Sequence, residues 1–257
     1  AILTLMTTLR MKEPSTHQST EVSGSVTNAF RLVLQAGRWI FQTPFVLCVI
    51  LAGLLFDSVI RMLLTMASQY YRLIEIPEAM FGILGSGLAL FGFVIPKIAR
   101  RLSIYRSPTF NLMIVATVTL SGLVGMCFFW PIWGLLPALL LFGCMYFIGF
   151  FISHYLNRAT ASEQRATVLS FKGLFFNLGY GLIGIFYSML LAFQRERIEQ
   201  LQPELTGDLI KNQVFIEAMV WFPGYFALGL LCLVIFSLWA LRGRHEHRLI
   251  DNSGDQK

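Results

Sequence analysis

Two ionisable residues draw attention because of where they fall. Asp57 and Arg61 lie four residues apart inside the apolar run 45–70, a spacing that puts both on one face of a helix. Charges within a membrane span are costly, and they usually face a bundle interior or a wet cavity. Two roles fit the pair. In one it is self-neutralising, with Arg61 stretching its stem toward the outer head groups. In the other the Asp57 carboxylate takes a proton or contacts a substrate, while Arg61 tunes that carboxylate or binds an anionic group. Asn177 and Tyr180 in the run 166–193, and Tyr146 in the run 132–155, are further candidates for lining a substrate or proton pathway. Asn177 suits a hydrogen bond between helices equally well. His154, near the end of its run, reads as an interfacial ring rather than a proton relay.

The elements that position these residues follow from composition. The 257 residues are 56% hydrophobic and only 13% charged, with a mean hydropathy of +0.65. Soluble domains carry about 25% charged residues, so this chain has too little polar surface for a water-soluble globule of its size. Abundant Leu, Ile, Val and Phe exclude disorder. With Gly at 21 and Cys at 4, collagen-like and disulfide-scaffold classes fail as well. Cys48, Cys127, Cys144 and Cys232 each sit in an apolar run without metal-ligand spacing to another Cys or His, so they read as small buried hydrophobes and no metal site is expected.

Six long apolar segments, 45–70, 77–98, 108–129, 132–155, 166–193 and 214–241, are each long enough to cover about 30 Å of hydrocarbon at a rise of about 1.5 Å per residue. The alternating strands of about ten residues that a β-barrel needs are missing. The expected fold is an all-α membrane protein, a six-helix bundle spanning 44–241, with the lipid bilayer as its first partner. Ahead of it, polar positions Asn28, Arg31, Gln35 and Arg38 recur at helical spacing opposite Phe30, Val33, Leu34, Ile40 and Phe41. This predicts an amphipathic helix over 25–43, on the membrane surface or docked under the bundle, with Pro44 at the entry to the first span. Segment 1–24 is expected to hold the end of a truncated helix, Ala1–Leu9, and a polar loop. Residues 242–257 are expected to form a tail.

Orientation follows from Lys and Arg. Fifteen fall on the side that holds the leading loop, four on the opposite side, and Arg61 within a span. The basic side is therefore expected in the cytoplasm, with both ends of the chain there and the protein in a cell membrane, inner or plasma. The net charge of +6 then reports topology, and no nucleic-acid partner is expected, since there is no basic patch beyond these short loops. The segment Gln194–Asn212 on the other side mixes both signs and reads as a solvated, partly helical hairpin cap.

Glycines gather on the second span (Gly82, Gly85, Gly87, Gly92) and the fifth (Gly173, Gly179, Gly181, Gly184), where small residues let helices approach closely in lipid. The spacing Gly179–Gly181–Gly184 matches a dinucleotide fingerprint, but that motif needs a preceding strand and a helix N-terminus. Here it is a packing or hinge feature, and no cofactor is expected. An enzyme is not expected either, because neither H-E-x-x-H nor G-x-S-x-G occurs. A structural or channel-type six-span subunit is the alternative to a carrier. A filter-like loop between spans is missing for the channel, and the cost of Asp57 and Arg61 weighs against a merely structural role.

The stretch Gly92-Phe93-Val94-Ile95-Pro96-Lys97-Ile98-Ala99-Arg100-Arg101 after the second span resembles the cytoplasmic motif of the major facilitator superfamily, G-x-x-x-D-[RK]-x-G-[RK]-[RK]. Gly92, Lys97, Arg100 and Arg101 match, while Pro96 and Ala99 replace the acid and the second glycine. The stretch Asn157–Ser170, with Glu163-Gln164-Arg165-Ala166-Thr167-Val168-Leu169-Ser170, is similar to this family's loop into its eleventh helix. The resemblance covers nearly the whole chain and implies the C-terminal half of a twelve-helix carrier, helices seven to twelve, whose two halves rock about a central site. It implies secondary transport of a small solute, possible coupling to protons, a cytoplasmic gating role for the basic stretch, and an N-terminal six-helix half as partner. It also places Asp57 and Arg61 on a cavity helix, helices eight and eleven against the other half, and nine and twelve toward lipid.

Overall fold

The structure, a computed structural model, describes residues 26–204 and 207–254. The expectations for Ala1–Leu9, the loop that follows it and the last three residues lie outside them. The described residues are helical almost throughout: α1 (Val26–Gln42), α2 (Pro44–Thr65), α3 (Ala67–Leu73), α4 (Phe81–Tyr105), α5 (Pro108–Met126), α6 (Leu135–Ala159), α7 (Ser162–Leu201), α8 (Asp208–Met219) and α9 (Trp221–Gly254), with a 3₁₀ turn at Glu78–Met80 before α4. Helix starts follow local chemistry. Pro44 and Pro108 open α2 and α5, where a missing N–H costs nothing. The Ser107 hydroxyl caps α5 by accepting the Phe110 N–H at 3.3 Å.

Six segments are long and apolar enough to cross a membrane: Pro44–Thr65, Glu78–Tyr105, Pro108–Met126, Leu135–Ala159, Gln164–Leu201 and Asp208–Leu241. Their bounds differ from the apolar runs in instructive places. The first span ends at Thr65, and α3 restarts after Met66. Helix α7, the fifth span, has 40 residues, far more than a bilayer requires. Its last turns pack Ile198 against Ile210 and Val214 of α8, so the described residues at the two ends of the Gln194–Asn212 segment are helical and pack on each other. The basic stretch Gly92–Arg101, set above after the second span, lies inside α4 together with Pro96. Proline's missing N–H and its ring strain a helix, yet this helix continues to Tyr105.

The hub is α2, which packs against α6, α7 and α9. In its most apolar stretch 67% of residues are buried, against 11% in the second span and 17% in the fifth. Phe56, Val59, Ile60 and Leu63 of α2 join Phe142, Phe151 and Ile152 of α6 and Phe226 of α9 in one core, with Phe56 and Phe226 edge to face at 5.1 Å. The outer faces remain apolar: Ile83, Leu90 and Phe93 on α4, and Leu228, Leu231 and Ile235 on α9, are exposed. Such a surface needs lipid or a protein partner. The amphipathic helix α1 is docked under the bundle, with Ile40 fully buried and Leu34 and Arg38 exposed. At Gly37 any Cβ would stand 2.9 Å from Phe171 of α7, so glycine permits this contact.

Candidate functional site

Helices α2 and α7 carry the polar groups, and two glycines let them meet. A Cβ on Gly53 would collide with Phe176 of α7 and stand 3.1 Å from Ile152 of α6; a Cβ on Gly179 would collide with Leu54 of α2. A large side chain on each helix thus fills the notch left by glycine on the other. Of the four glycines that mark the fifth span, Gly179 makes this contact, whereas Gly173, Gly181 and Gly184 face open space.

Along that seam Asp57 and Arg61 form an ion pair at 2.7 Å. Arg61 Nη2 donates to Asp57 Oδ1 at 2.7 Å, and Nη1 donates to Asn177 Oδ1 at 2.9 Å. The Arg61 guanidinium carbon also lies 5.3 Å from the centre of the Tyr180 ring, a cation–π distance. One turn further along α2, the Thr65 and Tyr180 hydroxyls share a hydrogen bond at 2.9 Å. Four of the five predicted pathway residues are thereby drawn together: Asp57, Arg61, Asn177 and Tyr180. The fifth, Tyr146, is not in this network. It rests against Gly92 of α4, 3.2 Å from where a Cβ would stand, and lines a separate cavity of about 480 Å³ with Leu64, Leu88, Pro96 and Phe150.

The seam is half open. Asp57 leaves 10% of its side chain accessible and Arg61 30%, while Asn177 and Thr65 are exposed. Although Asp57 Oδ2 also lies 2.7 Å from Arg61, it is buried and accepts no hydrogen bond with good geometry among the described residues.

Sequence reasoning missed three members. Lys172, included above in the count for the basic side, belongs to α7: its Nζ donates to Ser153 Oγ of α6 at 3.3 Å and sits 5.7 Å from the centre of the Phe176 ring, the ring that fills the notch at Gly53. The split of Lys and Arg between the two sides then becomes fourteen to four, with Arg61 and Lys172 inside. Thr65 and Ser153 gave no signal, since hydroxyls bonded to a backbone carbonyl are ordinary within helices. The remaining marked residues lie elsewhere. On α4, Gly92 is half-buried and Lys97, Arg100 and Arg101 are exposed, and these three make no ion pair among the described residues. His154 stacks on Phe150 at 5.6 Å. Among the described residues no group of three or more His, Cys, Asp or Glu gathers to hold a metal ion.

What the arrangement offers is a charged, partly accessible strip between two helices, with hydrogen-bond donors left over. No protein-family model, curated protein or solved structure matches the chain.

Proposed function

We propose that the chain is one six-span half of a secondary carrier that moves a small solute by alternating access, as its resemblance to the major facilitator superfamily implies. The observation that carries this reading is the Asp57–Arg61–Asn177–Tyr180 network, which spans α2 and α7 and is left half open. Intramembrane charge is expensive to keep, and a purely structural lock would be closed over. Two further features support it. Helices α4 and α7 are sparsely buried and carry most of the open glycines, among them Gly82, Gly85, Gly87, Gly173, Gly181 and Gly184, while the sixth span, more sparsely buried still, carries Gly224; α4 and α7 correspond to helices eight and eleven, which face the other half in this family. The exposed cations Lys97, Arg100 and Arg101 stand at one end of α4, where the family's gating motif lies. In this reading the basic end is cytoplasmic, the solute reaches the seam when the two halves part, and the second half closes over it.

The test is flux. Proteoliposomes holding the complete protein should accumulate or release a solute, found by screening solutes for substrate-driven pH change. Vesicles holding only residues 1–257 should not, and co-reconstitution with a second six-span half should restore the flux. Transport by the isolated chain contradicts the half-carrier reading.

A further inference from the structure

The charge balance of the seam leads to a substrate class. The apolar lengths 45–65, 81–96, 109–126, 136–157, 167–193 and 221–241 contain three Asp, Glu, Lys or Arg side chains in all: Asp57, Arg61 and Lys172. One carboxylate faces two cations, so the seam carries an excess positive charge in a medium where lone charge is costly. Depth orders the three. At about 1.5 Å per residue, Lys172 lies roughly 15 Å along α7, while Asp57 and Arg61 lie roughly 20 and 26 Å along α2, counted from helix ends on the same side of the bundle.

Both cations keep donors in hand. A guanidinium has five N–H groups; Arg61 uses one on Asn177 and one on Asp57, and the other three have no partner among the described residues. Lys172 has three, with one on Ser153.

We propose that the seam takes an organic anion, with its carboxylate or phosphate head between Arg61 and Lys172. The inference rests on the carrier reading and narrows it. Asp57 then serves as an internal stand-in: in the empty protein its carboxylate holds one edge of the guanidinium, and the arriving head group satisfies the free N–H groups and cancels the excess charge. Guanidinium favours such planar, two-oxygen partners.

Binding can be read apart from transport. The complete protein in a neutral detergent is melted with millimolar benzoate, phenyl phosphate, benzamide or benzylamine, and separately with phosphatidylglycerol as the lipid-borne version of the same head group. The expected result is an upward shift of the melting temperature with benzoate or phenyl phosphate and none with benzamide or benzylamine. Lys172→Gln, which leaves the Asp57–Arg61 pair in place, should weaken the anion about 10- to 100-fold, the loss of one charge-assisted contact; Arg61→Gln combined with Asp57→Asn, which removes both charges together, should do the same. Equal or stronger stabilisation by benzamide or benzylamine, or no shift with either soluble anion, overturns the assignment. So does a shift with phosphatidylglycerol alone. Anion binding without flux in the vesicle assay would sink the carrier reading and leave this one standing; flux of a neutral or cationic solute would do the reverse.

Discussion

Two polar clusters cross helix interfaces in this bundle, and they are built in opposite ways. Where α5 meets α6, the Asn111 amide donates to the Tyr155 hydroxyl at 2.8 Å and to the Leu102 carbonyl at 3.3 Å. Both side chains are almost fully buried, and neither is charged. Where α2 meets α7, the cluster is ionised, half open, and has more donors than acceptors. The closed neutral cluster ties α4, α5 and α6 in one register without any charge to desolvate, and among the described residues it leaves only the buried Asn111 Oδ1 without a partner. An open charged cluster holds its helices less economically, because each charge must be kept desolvated in part. Under the proposed function the closed cluster serves stability and the open one serves the solute, and substitutions at the two places should divide along that line.

The largest effect is expected at Arg61. Arg61→Leu strands the Asp57 carboxylate and should cost about 3 kcal/mol, the low end for breaking a buried pair because this one is partly exposed; denaturant unfolding in detergent measures it. The double substitution Asp57→Asn with Arg61→Gln should regain most of that stability. Gly179→Leu comes next. The new side chain overlaps Leu54 and forces α2 from α7, at a cost of about 1–3 kcal/mol, and flux should fall with it because the Arg61–Asn177 bond is broken. Tyr155→Phe removes one bond of the closed cluster. It should cost about 1 kcal/mol and leave flux unchanged, and a large flux defect there would erase the distinction between the clusters. Asn177→Ala should shift stability least, by about 0.6 kcal/mol or less, yet reduce flux about tenfold if the side chain holds the guanidinium in place.

The parts legible in the sequence are those governed by one helix at a time. Six spans follow from apolar length, and the Asp57–Arg61 contact follows from a four-residue spacing. Asn177 and Tyr180 could be marked as polar groups in an apolar run, but their partner depended on how α2 and α7 are rotated, which Gly53 and Gly179 set together. Lys172 was missed although it falls inside the run 166–193, because a cation near the start of a run counts toward the basic side, and its place well inside α7 shows only once the helix is seen to start at Ser162. A related cause set Gly92–Arg101 after the second span: cations and a proline end an apolar run without ending the helix. Tyr146 sits at the right depth, but its face turns toward Gly92 of α4. Periodicity gives a residue's face relative to its own helix and says nothing about which neighbour that face will meet.

The central claim, that the α2–α7 seam opens to water whereas the α5–α6 cluster is closed, can be tested without knowing the solute. In the complete protein with Cys48, Cys127, Cys144 and Cys232 replaced, Asn177→Cys and Asn111→Cys are made singly and exposed in membranes to a charged thiol reagent that cannot dissolve in lipid. Labelling at position 177, slowed by the anion that binds the seam, with none at position 111, is the predicted result. Equal protection of both positions, with position 177 reached only by a lipid-soluble reagent, would mean that the seam faces hydrocarbon and would contradict the account.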